Sequence, residues 1–199
     1  SSWLSPSWRR QLAPTLSRSL ADLGALLHLV DPTLPIGGFN HSNGLETFVQ
    51  QGVVSTKPSL EEYVQTQLLQ NWVYNDGAYL SLAFEAMATN DFKRLCELDH
   101  SLSATKIARE SREGSFKLGL RLLKIFIRYE QHPMLSQFQQ AIQNKTVQGY
   151  FPIVFAMVAQ AMGLSKKDTL YAFYYNAAVG TITTVSYTHL RAHETRRHL

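Results

Sequence analysis

At 199 residues and 45% hydrophobic content, the chain has the length of one domain and enough apolar side chains to bury a core. Its formal charge is only +4, and three arginines against one glutamate in residues 186–199 account for half of it, which leaves no clustered basic face of the kind a nucleic-acid binder uses. The single cysteine, Cys96, excludes an internal disulfide and suits a reducing, cytoplasmic setting, and no apolar run reaches the ~18 residues of a membrane span.

Residues 1–20 are rich in Ser and Arg, contain two prolines, and read as a flexible N-terminal arm. From Asp22 to Val30, Leu23, Leu26, Leu27 and Val30 fall at the i, i+3, i+4, i+7 spacing of an amphipathic helix, and Asp31-Pro32 stops it. A glycine-rich stretch, Leu34 to Thr47, follows. Asn43 is placed to cap a new helix, with Glu46 three residues on as in a capping box, and Gly52 suits the left-handed residue after its end.

Pro58-Ser59 opens a further helix whose buried face is Leu60, Tyr63, Val64, Leu68 and Leu69. Trp72 to Ala88 reads as the next, with Tyr79, Leu82, Ala83 and Ala86 inward and Gly77 as a bend. Asn90 or Asp91 restarts the chain into Phe92, Leu95, Cys96 and Leu98. Lys106 to Arg128 reads as one long helix with Leu118, Leu122, Ile125 and Phe126 inward. Gly114 and Gly119 weaken that helix by up to ~1 kcal/mol each relative to Ala, which suggests close approach by another helix or a partner.

Pro133 begins a short helix to about Asn144. Pro152 opens another in its first turn, closing at Gly163, and Ser165 with Asp168 forms the next cap. Leu170, Phe173, Tyr174, Ala177, Ala178 and Thr181 then share one face. No run alternates as a strand does, so residues 21–185 read as a single all-α domain of roughly eight to ten helices. Residues 186–199 show no period, hold three of the seven histidines, and resemble translated sequencing-adapter DNA. They read as a non-native tail, with the natural chain expected to continue differently after about Val185.

The glycines of residues 34–47 do not make a phosphate cradle. A P-loop needs Gly-Lys-Ser/Thr after its glycines, and no Lys or Arg lies between Asp22 and Lys57. A dinucleotide fingerprint needs a preceding strand. Two readings stay open: a tight turn that positions a helix, or an interaction surface. His41 stands near Glu46, but a metal site takes three or four ligands and no partner pair is spaced to join it. His28, His100 and His132 are single. His193-Glu194 begins like a zinc-protease motif but has Arg197 where the second His would stand. Arg109-Glu110-Ser111-Arg112-Glu113 reads as a solvated helix face with an i, i+4 pair.

Three blocks resemble the UreF family of urease accessory proteins: Leu34 through Glu46; Glu110, Arg112, Ser115, Gly119 and Leu122-Leu123; and Gly149 through Phe155 with Ala161 and Gly163-Leu164. The resemblance covers about Leu23 to Thr184. It implies an all-α homodimer without catalysis of its own. Such a protein binds the accessory protein UreD (also called UreH), recruits the GTPase UreG, and helps nickel in transit reach apo-urease. No catalytic, cofactor or permanent metal residue is implied. The implied partner-interface residues are Pro35, Gly37, Gly38, His41, Ser42, Gly44, Glu46, Glu110, Arg112, Ser115 and Gly119. The alternative is a helical enzyme with its site around His41 and Glu46. Because the tail lacks a period, a chain ending at Val185 is expected to melt within error of the full chain; a drop of several degrees would show that residues 186–199 pack.

Overall fold

The apolar periods resolve into helices. The computed structural model describes residues 20, 22–31, 33–35, 45–106 and 109–197, and among them there are helices and turns and no strand. For residues 45, 46, 68, 71, 110 and 182–197 the backbone alone is described. The arm before residue 20, the Asn43 cap and the 36–44 loop lie outside the described residues.

Residues 22–29 form α1, with Leu29 buried and Leu23 and Leu27 facing outward. It ends at Asp31, whose carboxylate accepts the Thr33 N–H and hydroxyl at 2.7 and 2.6 Å. Those bonds hold the Asp31 carboxyl below its ordinary range. α2 is Leu45–Gln50, and its end bears out the glycine reading. Gly52 sits at φ 74°; its N–H reaches the Val49 carbonyl at 3.0 Å and the Val53 N–H reaches that of Phe48 at 2.9 Å. These are the paired bonds of a Schellman end. The same pair of bonds recurs around Asn90 (φ 55°), Lys145 (φ 59°) and Gly163 (φ 80°).

α3, Lys57–Gln67, is opened by Thr56 and Ser59, each hydroxyl accepting the other's N–H. The helix break expected before Trp72 is not there. A π-helix, Leu68–Gly77, carries the chain directly from α3 into α4, Ala78–Ala88. Its cause lies in the phase of the apolar residues. At α-helical winding the Leu60, Tyr63, Val64 stripe and the Leu80, Ala83, Met87 stripe stand roughly 180° apart, on opposite sides. The wider i→i+5 turn advances each residue less, on the order of 15° less, so ten residues remove roughly 150° of that offset and bring the two stripes to the same side. The stripe of α3 stays shallow all the same. No α3 residue is fully buried; Leu60 and Tyr63 pack with Val49 around Val54 in a small satellite cluster. Leu69 and Leu82, expected inward, are exposed, and Leu80 and Met87 take the interior instead.

α5 is Phe92–Thr105, capped by Asp91, whose side chain accepts the Arg94 N–H at 2.9 Å. α6 is Arg109–Phe126; Lys106, expected to begin it, closes α5 instead. α7 is Pro133–Gln143, α8 is Phe151–Ala161 and α9 is Lys166–Arg197. Ser165 caps α9 as expected, accepting the Asp168 N–H at 3.1 Å. α9 continues through residues 186–197, where the sequence shows no apolar period. Beyond Gly180 there is no Gly or Pro, and a helix once formed gains a bond per residue from formers such as Leu190, Arg191, Ala192 and Glu194.

α8 is the centre. Pro152 to Ala159 are eight successive buried residues, the pattern of a helix covered on all sides. α4 and α6 flank it, with α5 and α9 completing the cover. Phe155 meets Phe151 and Phe173 edge-on at 5.5 Å in each case, a favoured aromatic geometry. α9 packs along α3, the π-helix and α4. A Cβ at Gly77 would collide with the Tyr174 hydroxyl, so this glycine seats α9 on the π-helix rather than bending the chain.

Lys145 holds a left-handed conformation that costs an L-residue about 1–2 kcal/mol, partly offset in a glycine by its greater loss of chain entropy. Lys145→Gly is therefore expected to stabilise the fold by roughly 0.5–1 kcal/mol. The check is the denaturant midpoint, which should rise at unchanged slope.

Candidate functional site

Two of the sequence blocks meet where α5, α6 and the start of α8 converge. The N-terminus of α8 is buried, so its free N–H groups need partners inside the protein. Asp99 of α5, wholly buried, supplies three. Its carboxylate accepts the Gln148 N–H at 2.6 Å and those of Gly149 and Tyr150 at 3.0 Å each. The Phe151 N–H donates to Ser115 Oγ of α6 at 3.2 Å. Pro152 has no N–H to satisfy, and Ile153 and Val154 both turn back to the Tyr150 carbonyl at 3.1 Å. The Tyr150 hydroxyl donates to Ser103 at 3.0 Å. Burial pushes the Asp99 carboxyl up, and the three backbone donors pull against that shift.

Gly119 belongs to the same junction. It is buried, and a Cβ there would strike the Gly149 carbonyl oxygen. Ser115 and Gly119, named from the sequence as interface candidates, are thus both engaged within the chain.

Arg112 was expected on an open face and is half-buried. Its Nη1 donates to the Lys106 carbonyl at 2.7 Å, closing the C-terminus of α5. Lys106 Nζ in turn meets Asp76 of the π-helix at 2.7 Å, with side chains only 9% and 20% exposed. One guanidinium therefore ties the start of α6 to the end of α5, and an ion pair ties that end to the π-helix. Arg109 and Glu113 form the expected i, i+4 pair at 2.7 Å on the surface.

Of the remaining candidates, Pro35 is exposed beside buried Leu34. Gly37, Gly38, His41, Ser42 and Gly44 lie outside the described residues, as do the side chains of Glu46, in the first turn of α2, and Glu110, in that of α6. The single histidines are used locally. His28 packs on Phe126 at 5.0 Å, His100 Nε2 bonds the Thr146 carbonyl at 2.6 Å, and His132 Nδ1 accepts the Met134 N–H at 3.3 Å. Cys96 is half-buried, and burial first, then Asp99 and Glu97, pushes its thiol up, away from the reactive thiolate. Among the described residues no three His, Cys, Asp or Glu gather as a metal site.

Sequence reasoning missed two features. Asp99 was not singled out, because its three donors lie some fifty residues downstream. The helix α6 also turns Lys117, Arg121 and Lys124 to solvent, and Arg128 is exposed in the turn that follows it. The i, i+4, i+7 spacing of the first three gives that helix a basic side which whole-chain charge conceals.

The family profile described as UreF matches residues 54–185, which takes in the α5–α6–α8 junction and leaves the 34–47 stretch outside. A Haemophilus influenzae protein named urease accessory protein UreF (strain ATCC 51907 / DSM 11121 / KW20 / Rd) is 82% identical over 172 residues, covering 86% of this chain and 73% of its own length. One of the same name from Actinobacillus pleuropneumoniae serotype 5b (strain L20) is 78% identical over 164 residues, 82% of this chain and 72% of its own. A third, from Bacillus sp. (strain TB-90), is 33% identical over 151 residues, 76% of this chain and 66% of its own.

Gly119→Ala sets two effects against each other. Alanine gains up to ~1 kcal/mol in helix propensity, while forcing apart a packed backbone contact costs about 1–3 kcal/mol. The variant is expected to lose stability in chemical denaturation. Gly24→Ala, in α1 with nothing within 4 Å of the new methyl, is expected to gain it.

Proposed function

The chain belongs to the UreF family, and from that premise we propose that it serves urease maturation as a scaffold, without turnover of its own. One observation carries the reading: 82% identity over 172 residues to a protein named as a urease accessory protein. In this proposal the chain works in the cytoplasm as a homodimer. It binds the UreD (UreH) accessory protein, recruits the UreG GTPase, and lets nickel pass to apo-urease as cargo rather than as a resident cofactor. The internal geometry supports a scaffold. The junction that anchors α8 is a rigid interior built from Asp99, Ser115 and Gly119, and such a core can hold several outward faces in fixed relation.

The test is reconstitution. The chain, co-expressed with the UreD and UreG proteins of the same urease system, is expected to co-purify with UreD. UreG should join only when the chain is present, and apo-urease supplied with nickel should gain activity through that complex. Failure of the chain to hold either partner would overturn the scaffold reading. Hydrolysis of urea or GTP by the isolated chain would instead favour the helical enzyme built on His41 and Glu46.

A further inference from the structure

We propose that α2, α3 and the turn between them form a strap over α9 that lets go as one unit while the rest of the domain stays folded, the release stopping inside the π-helix at Trp72. This goes beyond the scaffold reading and does not rest on it. The strap has an interior of its own, and that interior is small. Of the described residues 47–67, Val54 alone is buried. It centres the cluster with Val49, Leu60 and Tyr63, which is separate from the main core. The contacts that shape the strap are internal. The Val53 and Val54 N–H groups reach the Phe48 carbonyl at 2.9 and 3.2 Å. Those of Ser55 and Thr56 reach Ser59 Oγ at 3.1 and 3.0 Å. The Phe48 and Tyr63 rings meet at 5.6 Å. Outside the strap, its principal contacts are with α9 and the π-helix. A helix of 11 residues such as α3 is marginal in water without support, so leaving α9 means melting rather than swinging as a rigid arm.

The far end of the same continuous helix is held firmly. Trp72 is buried, and Asp76 meets Lys106 at 2.7 Å. Thr105 Oγ1 donates to Asn75 Oδ1 at 3.5 Å, and the Tyr174 hydroxyl lies over Gly77. Leu69 and Gln70, just before these residues, are exposed. Support therefore changes across Trp72, in mid-helix. Few buried apolar contacts on one side and many on the other is the condition under which one part of a structure opens at a lower free energy than the whole. Elements that move or bind are drawn from that low-stability end. Release would bare the sides of α9 and the π-helix on which the strap rests.

The experiment is native-state amide hydrogen exchange on the full chain across low denaturant concentrations. The amides of residues 47–71 are expected to share one opening, at least about a hundredfold more populated than the one that exposes α8. Its denaturant slope should be the shallower, because less surface is exposed. Each π-helical N–H answers to a carbonyl five residues back, so the fast set should run on to about Asp76 and end before the middle of α4. Two variants separate a strap from a single cooperative domain. Ile153→Val, in the core that stays folded, should speed α8 exchange roughly threefold to tenfold and leave the strap unchanged. Val54→Ala should speed both about tenfold, because both openings lose that contact. Exchange of residues 47–67 at the α8 rate, or equal acceleration of both by Ile153→Val, would overturn the proposal. Rates that differ residue by residue without denaturant dependence would also overturn it, since they describe fraying. Fast exchange through the whole of α4 would overturn the boundary at Trp72.

Discussion

The buried N-terminus of α8 is the constraint on which the rest of the structure depends. A helix whose residues from Pro152 to Ala159 all lie in the interior brings its free N–H groups into the interior with it. Each such group left without a partner would cost on the order of 1–3 kcal/mol, a large share of the stability of a domain this size. The chain meets the demand from two other helices. Asp99 must come from α5 and Ser115 from α6, at 2.6–3.2 Å, so α5 and α6 have little freedom in where they stand. Gly119 sets the remaining coordinate, the distance between α6 and the Gly149 carbonyl.

The second organising element is the phase slip between α3 and α4. An unbroken α-helix from Lys57 to Ala88 would point one of its two apolar stripes away from the protein. A loop would solve that but would leave backbone groups to satisfy. The π-helix keeps the bonds and changes only the winding. It also creates the surface on which α9 rests, with the Tyr174 hydroxyl above Gly77 and Lys166 paired with Glu85. These two contacts fix α9 antiparallel to α4. Asp76, at the end of the π-helix, holds Lys106, so the winding of this segment is coupled to the α5–α6 corner as well.

What could be read in the sequence was local. Gly52 announced a left-handed helix end, Gly163 the close of a helix, Asn90 or Asp91 a restart, Ser165 a cap and Pro152 a first turn; each depends on residues a few positions away. The inward face of α6 followed from its period, since Leu122 and Phe126 are buried as expected. The failures share a different cause. Asp99 looked like one more acid on an amphipathic helix because its partners are distant in the chain. The π-helix was read as a break because an α-helical period was assumed on both sides of Gln70. Leu69 and Leu82 were assigned inward on that same assumption. The 34–47 stretch, the most distinctive in the sequence, lies mostly outside the described residues, and of its interface candidates Pro35 alone can be placed in full.

The residues that announce a family need not be those that meet its partners. Ser115, Gly119 and the block from Gly149 to Phe155 carried much of the resemblance, and the structure engages all of them in holding one helix. Arg112, the charged member of the set, is half-buried and closes α5. Such positions tolerate little change because a backbone carbonyl or N–H stands opposite them. Recognition makes a different demand: side chains that reach solvent. The outer side of α6, with Lys117 and Lys124 exposed, reaches solvent on the helix whose inner side is set by the geometry of α8, so the two sides of one helix answer to different constraints.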